Sequence, residues 1–190
     1  MKKEIWGFYP PPIGGISIYC KRLAEKLHAI DESVIMRDFA QSGYESECVM
    51  RVKNRILEFL KLPFVPKRLI HAQFTNFYLL MMLYLFGWKH DIVLTLHNRR
   101  IVLLDGWKRK VVNQLFRRAK YIIYNDPAYT ALLREKYDID SGKIVLLPTY
   151  MAPEQSEVKG LTTELEEFIN KHEYSISSNA HRVINNVFGD

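Results

Sequence analysis

Short apolar runs alternate with amphipathic stretches along most of this chain. Six of the runs have the length of strands and are rich in β-branched or aromatic residues, and within 91–97 residues 92–96 are apolar at four of five positions. Such continuous apolar runs are typical of strands that are buried on both faces of a parallel sheet. The predicted strands cover residues 4–9, 33–37, 68–72, 91–97, 121–124 and 143–147.

Between these strands, apolar residues recur at helical spacing. Over residues 16–30, Cys20, Leu23 and Leu27 share one side, with charged residues between them. The run 77–86 is apolar all round, which favours a buried crossover helix over a membrane-dipping surface. The alternation of strands and helices predicts an α/β protein with a Rossmann-like, doubly wound parallel sheet. The other predicted helices cover residues 47–60, 105–120, 127–137 and 161–170.

The composition of the chain changes near Tyr150. Residues 1–150 carry the alternating pattern and predict one Rossmann-like domain, whereas residues 151–160 are polar, contain Pro and Gly, and predict a linker. Residues 161–190 predict a helix and a strand at 174–178. Thirty residues cannot bury a core of their own. We expect them to pack on the first domain or to form the incomplete start of another.

Composition and charge narrow the class of protein. The chain has 190 residues. Its net charge of +6 indicates an anionic partner, which could be a small ligand, an acidic lipid or nucleic acid. Two cysteines cannot build a disulfide framework, so a reducing compartment is expected. The N-terminus has no secretory pattern, and the longest apolar run is about half of a membrane span. We expect a soluble cytoplasmic protein, with peripheral contact at the inner face of the membrane left open.

A glycine pair, Gly14-Gly15, follows the first predicted strand and opens the first predicted helix. Ligands of open parallel sheets bind beyond the carboxyl ends of the strands. There, a helix start without side chains lets backbone amides approach a phosphate. The alternative is a pair that only turns the chain. The pair fits neither a dinucleotide-binding fingerprint nor a P-loop.

Polar residues follow the ends of the other predicted strands. His97 ends the most buried strand, where it could bind a substrate hydroxyl, act as a base or stabilise charge. The alternative is a structural histidine bonded to a loop carbonyl. His71 lies inside a strand and is expected to be a core or edge residue. The remaining histidines have no helical or strand partner at the spacing of metal ligands, so no metal site is predicted; they are His28, His90, His172 and His181. Further strand-end candidates are Gln73, Asn98 and Asn125.

The predicted helix 105–120 is basic and amphipathic. A solvated helix face is the simpler interpretation of this pattern. Attraction to anionic lipid or to a lipid-linked acceptor is the functional alternative. Nucleic-acid binding is disfavoured because no recognised binding module is present and the cations lack interleaved exposed aromatic residues.

Four segments together resemble a known family. The glycine pair with its flanks at 12–16 precedes a helix at 21–27, and the apolar strand 92–98 ends in His97-Asn98. Segments 119–125 and 143–150 follow in the same order. This ordered set resembles the N-terminal domain of GT-B glycosyltransferases of the family-four, or "glycosyl transferases group 1", type, which make bacterial surface polysaccharides. The resemblance implies two Rossmann-like domains with a cleft between them.

The resemblance also implies roles for individual residues. Gly14 and Gly15 would bind the donor diphosphate, His97 would be catalytic beside the transferred sugar, and Gln73, Asn98 and Asn125 would bind the acceptor. It implies a nucleotide-sugar donor, a saccharide or lipid-linked acceptor, retention of configuration, and no metal or cofactor. The nucleotide-sugar domain is not present in this sequence, so we expect the isolated chain to be inactive. The alternative is a non-catalytic binding or scaffolding domain that pairs with a separate donor-binding chain or docks on acidic membrane.

Overall fold

The computed structural model describes residues 1–40, 43–124, 126–147, 151 and 163–171. Contacts divide the chain into two units, Met1–Met151 and Ala152–Asp190. In the second unit, the described residues form one helix, Thr163–Asn170, and Lys171 after it. The predicted strand at 174–178 and residues 152–160 of the predicted linker lie outside the described residues. The division into domain, linker and incomplete segment therefore stays a prediction.

The first unit is built on a parallel sheet. Its seven strands have the order β3-β2-β1-β4-β5-β6-β7, and every neighbouring pair is parallel. The α/β, Rossmann-like, doubly wound architecture that the sequence predicts is thereby confirmed. The strands are β1 (Lys2–Gly7), β2 (Val34–Asp38), β3 (Val49–Arg51), β4 (Arg68–Ala72), β5 (Asp91–Leu96), β6 (Tyr121–Tyr124) and β7 (Ile144–Leu146).

Helices cover both faces of this sheet. The first helix packs on the face that carries Ile5 and Met36, and the next four pack on the face that carries Trp6 and Ile70. Because right-handed crossovers are the rule, reversing the direction of strand addition moves the helices to the opposite face. The helices are α1 (Gly15–Ile30), α2 (Arg55–Leu60), α3 (Phe77–Phe86), α4 (Gly106–Arg118), α5 (Pro127–Lys136) and, in the second unit, α6 (Thr163–Asn170).

One predicted element is wrong. The sequence predicts a helix over 47–60, but the structure has β3, an edge strand, and then the short helix α2. Val49 is buried and pairs with Met36 of β2, so sheet pairing overrides the helical spacing at the start of the segment. Asn54 begins α2, because its side-chain oxygen accepts a hydrogen bond from the backbone nitrogen of Leu57 at 3.2 Å.

Helix α3 has the bounds that the sequence predicts, but only part of its apolar surface is buried. Phe77, Leu80 and Leu83 face the core, whereas Tyr78 is 60% and Leu85 is 52% exposed. Packing against α2 on one side and α4 on the other leaves the remaining side of this uniformly apolar helix uncovered in this unit. Among the helices in the described ranges, none is long and apolar enough to cross a membrane.

Candidate functional site

The order of the strands creates one switch point, between β1 and β4. The chain adds β2 and β3 on one side of β1, then crosses back and adds β4 to β7 on the other side. The loops that leave β1 and β4 therefore diverge at the carboxyl edge of the sheet, which is where open parallel sheets bind ligands. The loop after β1 leads to Gly14 and Gly15, and the segment after β4 begins with Gln73.

The glycine pair lies at the start of α1. Gly14 is the N-cap in extended backbone, and its amide donates to the hydroxyl of Ser17 at 2.9 Å. That hydroxyl in turn donates to the carbonyl of Pro12 at 2.7 Å. A Cβ atom built on Gly14 would meet only Ser17 Oγ, at 3.9 Å, and one built on Gly15 would meet nothing within 4 Å. Neither the backbone conformation nor the local packing requires glycine, and the space over the helix start is open.

Contacts to Asp38 and Tyr9 hold the loop that joins β1 to α1. Asp38 is fully buried at the end of β2, and its Oδ1 accepts from the amides of Tyr9 at 2.9 Å and Ala40 at 2.8 Å. The Tyr9 hydroxyl donates to Glu25 Oε1 at 3.1 Å, and its ring stacks on Tyr44. Burial, reinforced by the Glu25 carboxylate, raises the pKa of Tyr9, so its hydroxyl stays protonated.

His97 follows β5 and meets residues from two other elements. Its Nε2 lies 2.8 Å from Oε1 of Gln73, and the Tyr19 ring packs edge-on against the imidazole, with 5.1 Å between ring centroids. Tyr19 lies four residues after Gly15, so the first turn of α1 and His97 share the same edge of the sheet. Burial lowers the pKa of His97 to about 4. The imidazole is therefore neutral at pH 7.

Behind His97 lies a chain of hydrogen bonds, which we call the His97 relay: His97, Gln73, His71 and Thr95. Gln73 is 1% exposed, and its Nε2 lies 2.9 Å from His71 Nε2. That ring nitrogen is also 2.7 Å from the hydroxyl of Thr95, which is fully buried. Burial, and then the neighbouring His97, lower the pKa of His71 to about 4. The relay is therefore uncharged near neutral pH.

The other predicted acceptor-binding residues have different surroundings. Asn98 donates from Nδ2 to the Thr75 hydroxyl at 2.7 Å, and its Oδ1 accepts from the Arg100 amide at 3.1 Å. These bonds start a short 3-10 turn, Arg99–Leu103, beside His97. Asn98 is thus close in sequence and space to the candidate site. Asn125 lies outside the described residues, and its role stays a prediction.

Cations of α4 and its C-terminal flank are largely engaged within the protein. Lys120 pairs with Asp91 at 2.9 Å, Arg118 donates to the Tyr84 carbonyl at 2.8 Å, and Arg117 pairs with Asp138 at 3.1 Å. The basic stretch that the sequence offers as a lipid-binding face therefore stabilises neighbouring elements as well. Over the described ranges, no group of three or more His, Cys, Asp or Glu residues could hold a metal ion.

Sequence reasoning missed Tyr19 and Thr95, and it placed His71 in the core or at an edge without a role. A signal was present, because residues two apart on a strand share a face of the sheet. His71 precedes Gln73 by two residues, and Thr95 precedes His97 by two. What the sequence lacks is the register of β4 against β5, which places His71 beside Val93.

The all-parallel sheet, with a polar cluster at its switch point, defines an α/β domain of Rossmann-like class. No protein-family model and no curated protein matches the sequence. Among solved structures, the chain is similar to Anabaena HepE in a crystal structure that contains UDP and glucose. The TM-score is 0.59 at 12% identity, and the match covers 90% of this chain and 50% of that chain. At this identity the likeness shows the fold alone, and this chain spans about half the length of its neighbour.

Proposed function

We propose that this chain is the acceptor-side half of a retaining glycosyltransferase that uses a nucleotide sugar as donor. The observation that carries the proposal is the contact of the Tyr19 ring, one turn after Gly15 in α1, with His97 at the carboxyl edge of the sheet beside the switch point. The fold likeness to HepE, whose structure contains UDP and glucose, supports it.

The geometry suggests how the chemistry would be divided. The free amides at the start of α1, together with its helix dipole, would bind the donor diphosphate and stabilise the charge that develops when it leaves. Gly15, with no atom within 4 Å of its Cβ direction, would let the phosphates come close. Neutral His97 would contact the transferred sugar in its oxocarbenium-like transition state. No metal is assigned a role in this proposal.

The remaining parts of the proposal concern the acceptor and the setting. Asn98 and Asn125 would bind a saccharide acceptor, and Gln73 would act through His97, because both ends of its amide are already engaged. A lipid-linked acceptor in bacterial surface-polysaccharide synthesis would place the protein in the cytoplasm, with peripheral contact at the membrane. A donor-binding half, on the same or another chain, would complete the cleft.

A transfer assay tests the proposal on the protein paired with its donor-binding half. His97→Ala is expected to lower kcat/KM about 100-fold or more, as removal of a preorganised transition-state contact does. His28→Ala is the matched control, because His28 lies in the same fold unit and, among the described residues, hydrogen-bonds only the Val34 carbonyl, at 2.9 Å. Equal activity of the two variants would remove His97 from the site.

The alternative is a non-catalytic binding domain for a partner chain. Binding of a UDP-sugar by the paired protein, with no transfer to any saccharide or lipid-linked acceptor tested, would favour it. Transfer that depends on His97 would exclude it.

A further inference from the structure

We infer that Gln73 is a positioning residue that locks the tautomer of His97, and that His71 and Thr95 hold Gln73 in the required orientation. The inference rests on the three linked hydrogen bonds of the His97 relay. They join residues from β4, β5 and the segments that follow them. Nothing in the sequence motif around His97 contains this arrangement, because two of the four residues come from another strand.

The direction of each bond follows from the chemistry of the amide. Gln73 Nε2 can only donate, so the His71 nitrogen that it meets must carry a lone pair. Gln73 Oε1 can only accept, so the His97 nitrogen that it meets, Nε2, must carry the proton. A neutral imidazole has one proton. The Nδ1 atom of His97 is therefore left as an acceptor, and it makes no hydrogen bond within the described part of the chain.

The two rings are coupled through this amide. Turning the amide over would present a donor to the protonated nitrogen of His97 and an acceptor to the lone pair of His71. Each mismatch leaves buried polar groups without a hydrogen-bond partner, which is unfavourable. Both rings would have to change tautomer together to avoid that cost. In the assigned state the Thr95 hydroxyl donates to His71 Nε2, whose lone pair it shares with Gln73; if that nitrogen carried the proton, the hydroxyl would accept instead.

The fixed tautomer of His97 limits which ligand group this ring can bind. This consequence rests on the proposed function. Nδ1 of a neutral His97 can accept a hydrogen bond from a hydroxyl but cannot donate one to a phosphate oxygen. The tautomer therefore directs a sugar hydroxyl, rather than the diphosphate, to this ring. Anion binding is left to the backbone amides at the start of α1.

Nitrogen NMR of the chain labelled with ¹⁵N-histidine tests the lock directly, without any substrate. The spectra distinguish the two neutral tautomers at a pH above both titrations. In the wild type, we expect His97 to carry its proton on Nε2 and His71 to carry it on Nδ1. The opposite tautomer of either ring, or an even mixture, would overturn the inference.

Variants then test whether Gln73 sets the tautomers of the two rings or only lies beside them. Gln73→Glu replaces the only donor of the amide by an acceptor, so the His71 proton is expected to move to Nε2 while His97 keeps its Nε2 proton. His71→Phe removes the acceptor that orients Gln73, and His97 is expected to become a mixture of tautomers. His28→Phe, outside the relay, is the control and should leave His97 unchanged. An unchanged His71 tautomer in Gln73→Glu would contradict the inference, even if His71→Phe fails to fold.

The outcome separates this inference from the proposed function. If the NMR pattern holds but the paired protein transfers no sugar, the lock stands and the proposed function fails. If transfer depends on His97 but its tautomer does not respond to Gln73, the lock fails and the proposed function stands. If both hold, Gln73→Met should lower kcat with little effect on the KM for the donor.

Discussion

At the scale of single residues, two glycines near the candidate site differ in the space that surrounds them. Gly7 ends β1 in a crowded position, where a Cβ would lie 2.9 Å from Cys20 Sγ and 3.1 Å from Gln73 Cβ. Gly15 begins α1 in open space. Protein packing therefore explains the first glycine, whereas nothing in the described structure requires glycine at position 15.

Alanine at these two positions should separate stability from binding. Gly7→Ala is expected to lower the free energy of unfolding by about 1–3 kcal/mol, because Cys20 and Gln73 must shift. Gly15→Ala is expected to leave stability unchanged or to raise it by up to about 1 kcal/mol, because alanine favours helix. Urea unfolding followed by circular dichroism measures both.

Gly15→Ala should change ligand binding although it leaves stability unchanged or slightly higher. The measurement is the affinity for a UDP-sugar of this chain paired with its donor-binding half. A methyl group over the free amides is expected to weaken binding at least several-fold. Unchanged affinity in Gly15→Ala would argue against a phosphate at the start of α1.

At the scale of elements, a buried carboxylate joins three strands. Glu4 of β1 is 3% exposed, and its Oε1 lies 3.2 Å from Arg37 Nη2 on β2 and 2.6 Å from Arg68 Nη1 on β4. Its Oε2 accepts from Trp6 Nε1 at 2.9 Å. These contacts join β1 to the strands on both of its sides. Arg68 is the first residue of β4, so Glu4 braces the sheet away from the carboxyl edge on which the site is built.

Removing this charge should destabilise the sheet strongly. Glu4→Gln removes the carboxylate that Arg37 and Arg68 share and leaves Arg37 with Glu58 alone, at 3.5 Å, so a loss of about 3–5 kcal/mol in the free energy of unfolding is expected. Glu32→Gln, at an exposed position in the same unit, is the matched control, with an expected change within about 0.5 kcal/mol. Equal urea midpoints for the two variants would show that the buried pair contributes nothing.

At the scale of the whole molecule, the neutral relay makes stability depend on pH. His71 and His97 have pKa values of about 4 in the fold, below the ordinary value of 6.5. Between these values the unfolded chain binds more protons than the folded one, so stability is present above pH 6.5 and is lost as the pH falls towards 4. Burial lowers the pKa of His90 as well and acts in the same direction.

Urea unfolding at several pH values checks this dependence. The unfolding free energy is expected to fall between pH 6.5 and 4, by at most about 1.4 kcal/mol per pH unit for each ring. His97→Gln removes one of the titrating groups and should reduce the slope. The carboxyl of Asp91, whose pKa is lowered by Lys67 and Lys120, loses its contribution at lower pH and does not explain this window. A slope that is unchanged in the variant would contradict the prediction.

The chain by itself should not transfer sugar. The match covers 50% of HepE, and the proposed cleft needs a donor-binding half. We expect no turnover of UDP-sugars by this chain alone and transfer after pairing with that half, measured by release of UDP. Robust turnover by the isolated chain would contradict the division of the site between two halves.

Much of the site could be located from sequence, because strand ends and helix starts are local features. The positions of Gly14, Gly15 and His97 at those ends follow from apolar runs and from the residues that interrupt them. Their roles in catalysis and binding stay predictions. Tyr19 and Thr95 could not be found in this way, since helical spacing and strand alternation show a face but not its neighbour.

The sequence alone determined the alternation of strands and helices, since periodicity of 2 or 3.6 residues is a property of neighbours along the chain. It failed at β3, a three-residue edge strand whose pairing with β2 is a contact between distant segments. Only the tertiary structure decided the strand order, the switch point and the meeting of His71, Gln73 and His97. These depend on which strands pair and in what register, and the hydrogen bonds that set the register join residues more than twenty positions apart.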